Sequence, residues 1–191
     1  MDTAKALSVV GKYGGSVLDY ESPGSVPGDT LPVIAIPTTA GTGSEVTPFS
    51  VITDKKRNYK FSIFSETTLP NYAILDSNYI LSLPASVAAA TGMDALTHAI
   101  EAYLSLASTP FSDAMAEKGM ELLGRYIRAF VANRSNEEAA DGMLAGSMFA
   151  GIAFGKAKLG NIHAMSHPVS GYFDVPHGVA NAILLPAVLR F

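Results

Sequence analysis

The sequence predicts an α/β segment followed by an all-α segment, with the change near residue 80. Three observations carry that expectation. Short runs rich in β-branched and aromatic residues, Val33–Ile36, Phe49–Thr53 and Tyr59–Phe64, fall before the change, as does Ala73–Asp76. From Pro84 onward Ala, Leu and Met rise and the apolar spacing becomes helical. The length of 191 residues holds one large or two small domains with a proper core. The expected units are residues 1–80 and 81–191.

Taken in order, Asp2 to Tyr13 reads as a helix ended by Gly14-Gly15. A Pro- and Gly-rich loop, Glu21 to Pro32, leads into Val33-Ile34-Ala35-Ile36, an apolar run typical of a buried strand. Pro37 to Ser44 must then be a loop. Phe49–Thr53 and Tyr59–Phe64 read as two strands around the charged turn Asp54–Asn58. Ala73-Ile74-Leu75-Asp76 reads as a further strand. Pro84 to Leu104 reads as a helix despite Gly92. Thr109-Pro110 fits an N-cap and first-turn pair, opening a long helix to about Asn133. Asn136-Glu137-Glu138 opens another, reaching about Phe154, and residues 161–172 and 177–189 form two more.

The bulk composition excludes several functions. A formal net charge of -4, without clustered Lys or Arg, gives no field to attract nucleic acid. Cys is absent, which removes disulfides, thiolate metal sites and cysteine nucleophiles. The opening Met1–Ala6 lacks the basic flank and apolar run of a signal peptide, and no apolar stretch is long enough to span a bilayer. The expectation is a cytoplasmic protein with no membrane partner.

All four histidines lie in stretches with metal-site spacing. His98 follows Asp94 by four residues, and on a helix such a pair differs by about 40° around the axis, so both can face one ion. Alone, this spacing fits a surface pair on an amphipathic helix equally well. His163, His167 and His177 fall within fifteen residues, amid Met165, Val169 and Tyr172, with Asp174 the one charge nearby in sequence. Burying several imidazoles without partners is costly, so ligation or catalysis is favoured. One carboxylate and up to three imidazoles suit Fe²⁺ or Zn²⁺. Spacing alone does not say which histidines bind.

Four ordered stretches carry a resemblance: Asp2–Ala6, Pro37–Thr47, Gly92–Tyr103 and Gly160–Pro186. In them the chain resembles the iron-containing (group III) alcohol dehydrogenases along nearly its whole length. The resemblance implies the end of a Rossmann-like α/β domain, then part of a helical metal-binding domain, a dehydroquinate synthase-like fold with the site in the cleft between them. It implies Asp94, His98, His163 and His177 as metal ligands, usually for Fe²⁺ and alternatively Zn²⁺, with His167 as a non-ligand proton relay. It implies NAD or NADP as hydride carrier, contacted by Thr38, Thr39, Thr42, Phe49, Val51, Lys60 and Tyr79. Without it the Thr/Gly loop is a weak signal, because Gly41-Thr42-Gly43 lacks the third glycine of a dinucleotide fingerprint. The substrate class it implies is a small primary alcohol, a diol or the corresponding aldehyde, and family members commonly form homo-oligomers.

Family members also carry a Gly-Gly-Gly-Ser pyrophosphate loop just before the Asp-Thr-Ala-Lys segment, and the residue that selects NAD over NADP lies upstream as well. The chain is therefore expected to be a central fragment. Two alternatives remain: a non-catalytic remnant that retains metal binding, and a related enzyme of the glycerol dehydrogenase or dehydroquinate synthase type.

Overall fold

In a computed structural model, the described residues are 1–24, 26–57 and 59–191. Ser25 in the predicted loop and Asn58 in the predicted turn lie outside the described residues. Helix α1 (Asp2–Tyr13) ends at Gly14, whose φ of 77° needs a residue without Cβ. It buries Lys5, Ala6, Ser8 and Val9. The Lys5 ammonium, fully enclosed, donates to the carbonyls of Thr47 at 2.6 Å and Phe49 at 2.8 Å. One buried cation thereby fastens the helix to the start of the next strand.

Strands β1 (Ile34–Ala35) and β4 (Tyr72–Ala73) pair in parallel, with Ile34 opposite Tyr72. Strands β2 (Phe49–Asp54) and β3 (Tyr59–Phe64) form an antiparallel hairpin, with Phe49 opposite Phe64. Two expectations are corrected here. The run at Val33–Ile36 is not a buried strand, because only Ala35 is enclosed while Ile34 stays 62% exposed. The strand expected at Ala73–Asp76 keeps Ala73 alone, because the Asp76 carboxylate accepts the Asn78 N–H at 3.0 Å and opens a short 3₁₀ turn, Ser77–Tyr79.

The second part is helical. Helix α2 (Ala85–Leu104) follows Pro84. Helix α3 (Pro110–Ala132) opens with a reciprocal box: Thr109 Oγ1 accepts the Ser112 N–H at 3.2 Å, and Ser112 Oγ accepts the Thr109 N–H at 2.7 Å. Helix α4 (Glu137–Ala157) is capped by Asn136, whose Oδ1 accepts the Ala139 N–H at 3.0 Å, and it runs a turn beyond the expected Phe154. Helices α5 (Asn161–Phe173) and α6 (His177–Val188) each contain an internal proline, Pro168 and Pro186.

Helices α2, α3 and α4 share a core of Ala88, Ala95, Ala99, Leu123, Phe130, Met143 and Leu144. The many alanines let the backbones approach closely. A smaller core of Ala6, Val9, Phe61 and Ile63 joins α1 to β3. Phe49 packs against a third cluster with Ala102, Ala116, Ala153 and Phe154, which ties the hairpin to the helices. Helix α6 packs on α2 and α5. Among the described residues, no helix is long and apolar enough to cross a membrane.

Candidate metal centre

Asp94 and His98 project together from α2, His163 from α5 and His177 from the first turn of α6. The Nε2 atoms of His98, His163 and His177 lie 3.7, 3.4 and 3.6 Å from Asp94 Oδ1. A tetrahedral ion with bonds of about 2.1 Å has donor–donor edges of about 3.4 Å. These spacings therefore fit one cation. The tightest group is Asp94, His98 and His163, whose donor atoms all lie within 4.8 Å of one another; His177 joins it through its approach to Asp94.

Each imidazole is also engaged at its other nitrogen. His98 Nδ1 lies 3.3 Å from the Gly41 carbonyl, His163 Nδ1 2.5 Å from Glu101 Oε2, and His177 Nδ1 3.4 Å from Ser170 Oγ. A ring nitrogen that donates to an oxygen leaves its opposite nitrogen with a free lone pair. The Gly41 carbonyl and the Glu101 carboxylate can only accept, so the Nε2 atoms of His98 and His163 are presented as acceptors, whereas Ser170 Oγ can serve either tautomer of His177. The buried Asn181 amide stands among them: Nδ2 donates to Asp94 Oδ1 at 2.7 Å and approaches His163 Nε2 at 3.2 Å. Its Oδ1 has no hydrogen-bond partner among the described residues.

The electrostatics follow from burial. Desolvation pushes His98 and His177 down to about 4, against the pull of Asp94. Burial would lift the Asp94 carboxyl, but His98, His163 and His177 around it hold it well below the usual carboxylate range. Burial likewise opposes charge on His163, yet its hydrogen bonds to Asp94 and Glu101 raise it. The cluster therefore offers an ionised carboxylate and at least two neutral imidazoles at neutral pH, the protonation states that a divalent ion requires.

A cavity of about 480 Å³ opens on this cluster. Its walls bring together Asp94, His98, His163, His167 and His177 with Thr42, Phe49, Val51 and Lys60. Thr38, Thr39 and Tyr79 lie outside that lining. The His167 ring stands 5.8 Å from that of His163 and 5.0 Å from that of His177, beside the cluster rather than around Asp94. Burial, then His163 and Lys60, lower its proton affinity. Asp2 and Ser44, bonded to each other, and Phe154 and Lys158 also line the cavity without having been marked by spacing. Glu101 had a readable signal, since it sits seven residues after Asp94 on the same helix face. Asn181 had one too, four residues after His177.

Residues 88–191 match the family model described as Fe-containing alcohol dehydrogenase family, C-terminal, and residues 1–77 match that of iron-containing alcohol dehydrogenase. The chain belongs to the iron-containing alcohol dehydrogenase family. Among relatives within this family, alcohol dehydrogenase 4 of Schizosaccharomyces pombe is 45% identical over 190 residues, covering 100% of this chain and 45% of that one. The 1,3-propanediol dehydrogenase of Citrobacter freundii is 44% identical over 190 residues, covering 100% of this chain and 49% of that one. A solved structure of 1,3-propanediol oxidoreductase superposes with a TM-score of 0.94 at 43% identity, over 99% of this chain and 50% of that one. Sulfoacetaldehyde reductase from Bifidobacterium kashiwanohense, solved with NAD+, gives a TM-score of 0.94 at 39% identity, again over 99% and 50%. The chain spans about half the length of the curated relatives it matches. The dehydrogenase family and its fold are thereby settled.

Proposed function

We propose that this chain is the metal-bearing part of an alcohol dehydrogenase that moves hydride between a small primary alcohol or diol, or its aldehyde, and NAD(P). The observation that carries the reading is the convergence of three Nε2 atoms on Asp94 Oδ1 in the wall of a cavity shared with Thr42, Phe49, Val51 and Lys60. Asp94, His98, His163 and His177 would hold Fe²⁺ or Zn²⁺, and such an ion supplies Lewis acidity toward an alcohol oxygen. The nicotinamide would supply the redox chemistry.

The chain's own residues do the rest. Asp94 offsets charge at the centre, and the buried rings of His98 and Phe154, 4.4 Å apart, exclude water from one side. His167, held neutral by burial, has an imidazole nitrogen free to accept a proton from a substrate hydroxyl. Residues 1–80 contribute the cofactor wall, where Phe49 and Val51 offer an apolar face and Thr42 and Lys60 offer polar contacts. Residues 81–191 contribute the ligands. Relatives named 1,3-propanediol dehydrogenase favour a diol among the alcohols.

The test is to load the purified chain with Fe²⁺ or Zn²⁺, count bound metal by mass spectrometry, and follow alcohol-dependent reduction of NAD and NADP with 1,3-propanediol. Retention of one ion per chain is the expected result, and alcohol-dependent reduction of either cofactor supports the hydride-transfer part of the reading. A chain that keeps no metal after gel filtration would sink the reading. Metal retention without cofactor binding would leave the alternative of a metal-binding remnant.

A further inference from the structure

Glu101 lies on α2, seven residues beyond Asp94, so the two side chains point within about 20° of each other around the helix. It is a buried carboxylate, 5% exposed. Among the described residues no Lys or Arg pairs with it; its partner is the imidazole of His163, whose Nδ1 stands 2.5 Å from Oε2. Its other oxygen, Oε1, accepts the Ile162 N–H at 2.7 Å. The N-cap of helix α5 is Gly160, which has no side chain to cap it, so Glu101 reaches across from α2 to supply one. Gly160 permits the approach, since a Cβ there would come within 2.9 Å of Oε1.

Isolated burial of a carboxylate costs several kcal/mol or more, and capping one helix end recovers only about 1 kcal/mol. The His163 contact is what distinguishes this carboxylate from a simple cap. A carboxylate at Nδ1 requires the ring hydrogen to sit there, and the ring is then held with Nε2 facing Asp94 Oδ1 at 3.4 Å. Glu101 also ties the start of α5 to α2, and those two helices carry Asp94, His98 and His163, three of the four proposed ligands. We infer that Glu101 is a positioning residue for the metal centre: its carboxylate fixes the Nδ1-protonated tautomer of His163 and aims Nε2 at the ion. The inference rests on the metal-binding reading above.

The two roles of Glu101 separate in Glu101→Gln. The Gln amide oxygen still accepts the Ile162 N–H, so the cap is kept. Its NH₂ then faces His163 Nδ1, which favours the tautomer with hydrogen on Nε2 and turns a donor toward the ion. The experiment is a competitive zinc titration of the whole chain, wild type against Glu101→Gln and Glu101→Ala. Circular dichroism of each metal-free protein accompanies it. Glu101→Gln is expected to keep wild-type helix content and melting while binding zinc about 10- to 100-fold more weakly. Glu101→Ala is expected to lose both affinity and stability. Glu101→Gln with wild-type affinity overturns the proposal. If Glu101→Gln fails to fold, the zinc-loaded wild type decides by its imidazole NMR signals. A slowly exchanging, low-field His163 Nδ1–H supports the proposal, and an unprotonated or freely exchanging Nδ1 overturns it. Wild type that binds no zinc overturns the metal reading and this inference together, whereas normal wild-type binding with an unaffected variant overturns Glu101 alone.

Discussion

The imidazoles around Asp94 differ in proton affinity, and the difference sets an acid limit for the metal-free chain. His98 and His177 sit at about 4, below the ordinary histidine value. The unfolded chain protonates them near 6.5, so between those values the unfolded state holds more protons and stability falls as pH falls. The low-held carboxylates of Asp94 and Glu101 act in the same direction at lower pH. His163, whose value is raised, opposes them: its contribution is full below 6.5 and is lost as pH rises through its folded value. Burial lowers His167 as well, and it raises the Glu45 carboxyl, which sides with His163. With three lowered histidines against those two groups, the melting midpoint of the metal-free chain should drop by several degrees, on the order of 5 °C, between pH 7 and pH 4.5. A midpoint that holds steady or rises over that range contradicts the burial assigned to His98 and His177. Metal content divides the same residues by role. His98→Ala and His177→Ala should each lose bound metal, since three remaining donors hold an ion far less firmly. His167→Ala should keep the metal and lower turnover by about 10²- to 10⁴-fold. Loss of metal from His167→Ala alone would mean that ligand and relay have been exchanged.

Helix α6 reaches the site only because Gly178, next to His177, lets it lie against α2. A Cβ at Gly178 would fall 1.8 Å from the Ala90 carbonyl oxygen, a backbone atom that cannot swing aside. Gly178→Ala should therefore push α6 away, cost about 1–3 kcal/mol and carry His177 Nε2 out of reach of Asp94 Oδ1. Differential scanning calorimetry and a zinc titration on the same sample check both effects, and an unshifted melt would show that the helices separate without strain. Sequence reasoning was strongest where structure is local. Thr109-Pro110 and Asn136 announced the starts of α3 and α4 because capping is chemistry within three residues. The hairpin of β2 and β3 was legible from two apolar runs around a charged turn. The lengths of β1 and β4 were not, because parallel pairing depends on a distant partner and Asp76 turns the chain aside locally. The same limit hid Glu101 and Asn181. Their faces could be read from helical spacing, but their contacts exist only once α5 and α6 dock on α2.

At the scale of the molecule, the candidate centre is the meeting point of three helices, two of which, α5 and α6, lie outside the largest core. The dominant core joins α2 to α3 and α4, whereas α5 and α6 each contain a proline and lack a side-chain cap of their own. An ion held by Asp94 and His98 from α2, His163 from α5 and His177 from α6 would cross-link all three. Binding to the folded chain alone stabilises it by about 2.7 kcal/mol when free metal stands at a hundred times its dissociation constant. For a chain of this size that corresponds to a rise of about 5–10 °C in the melting midpoint. Removing metal with a chelator should reverse the rise, and the loss should be uneven. Hydrogen exchange should quicken most in α5 and α6 and least in α3, whose packing on α2 and α4 does not involve the ion. Uniform acceleration across all helices would mean that the centre supports the entire fold. No acceleration in α5 would mean that His163 does not bind the ion.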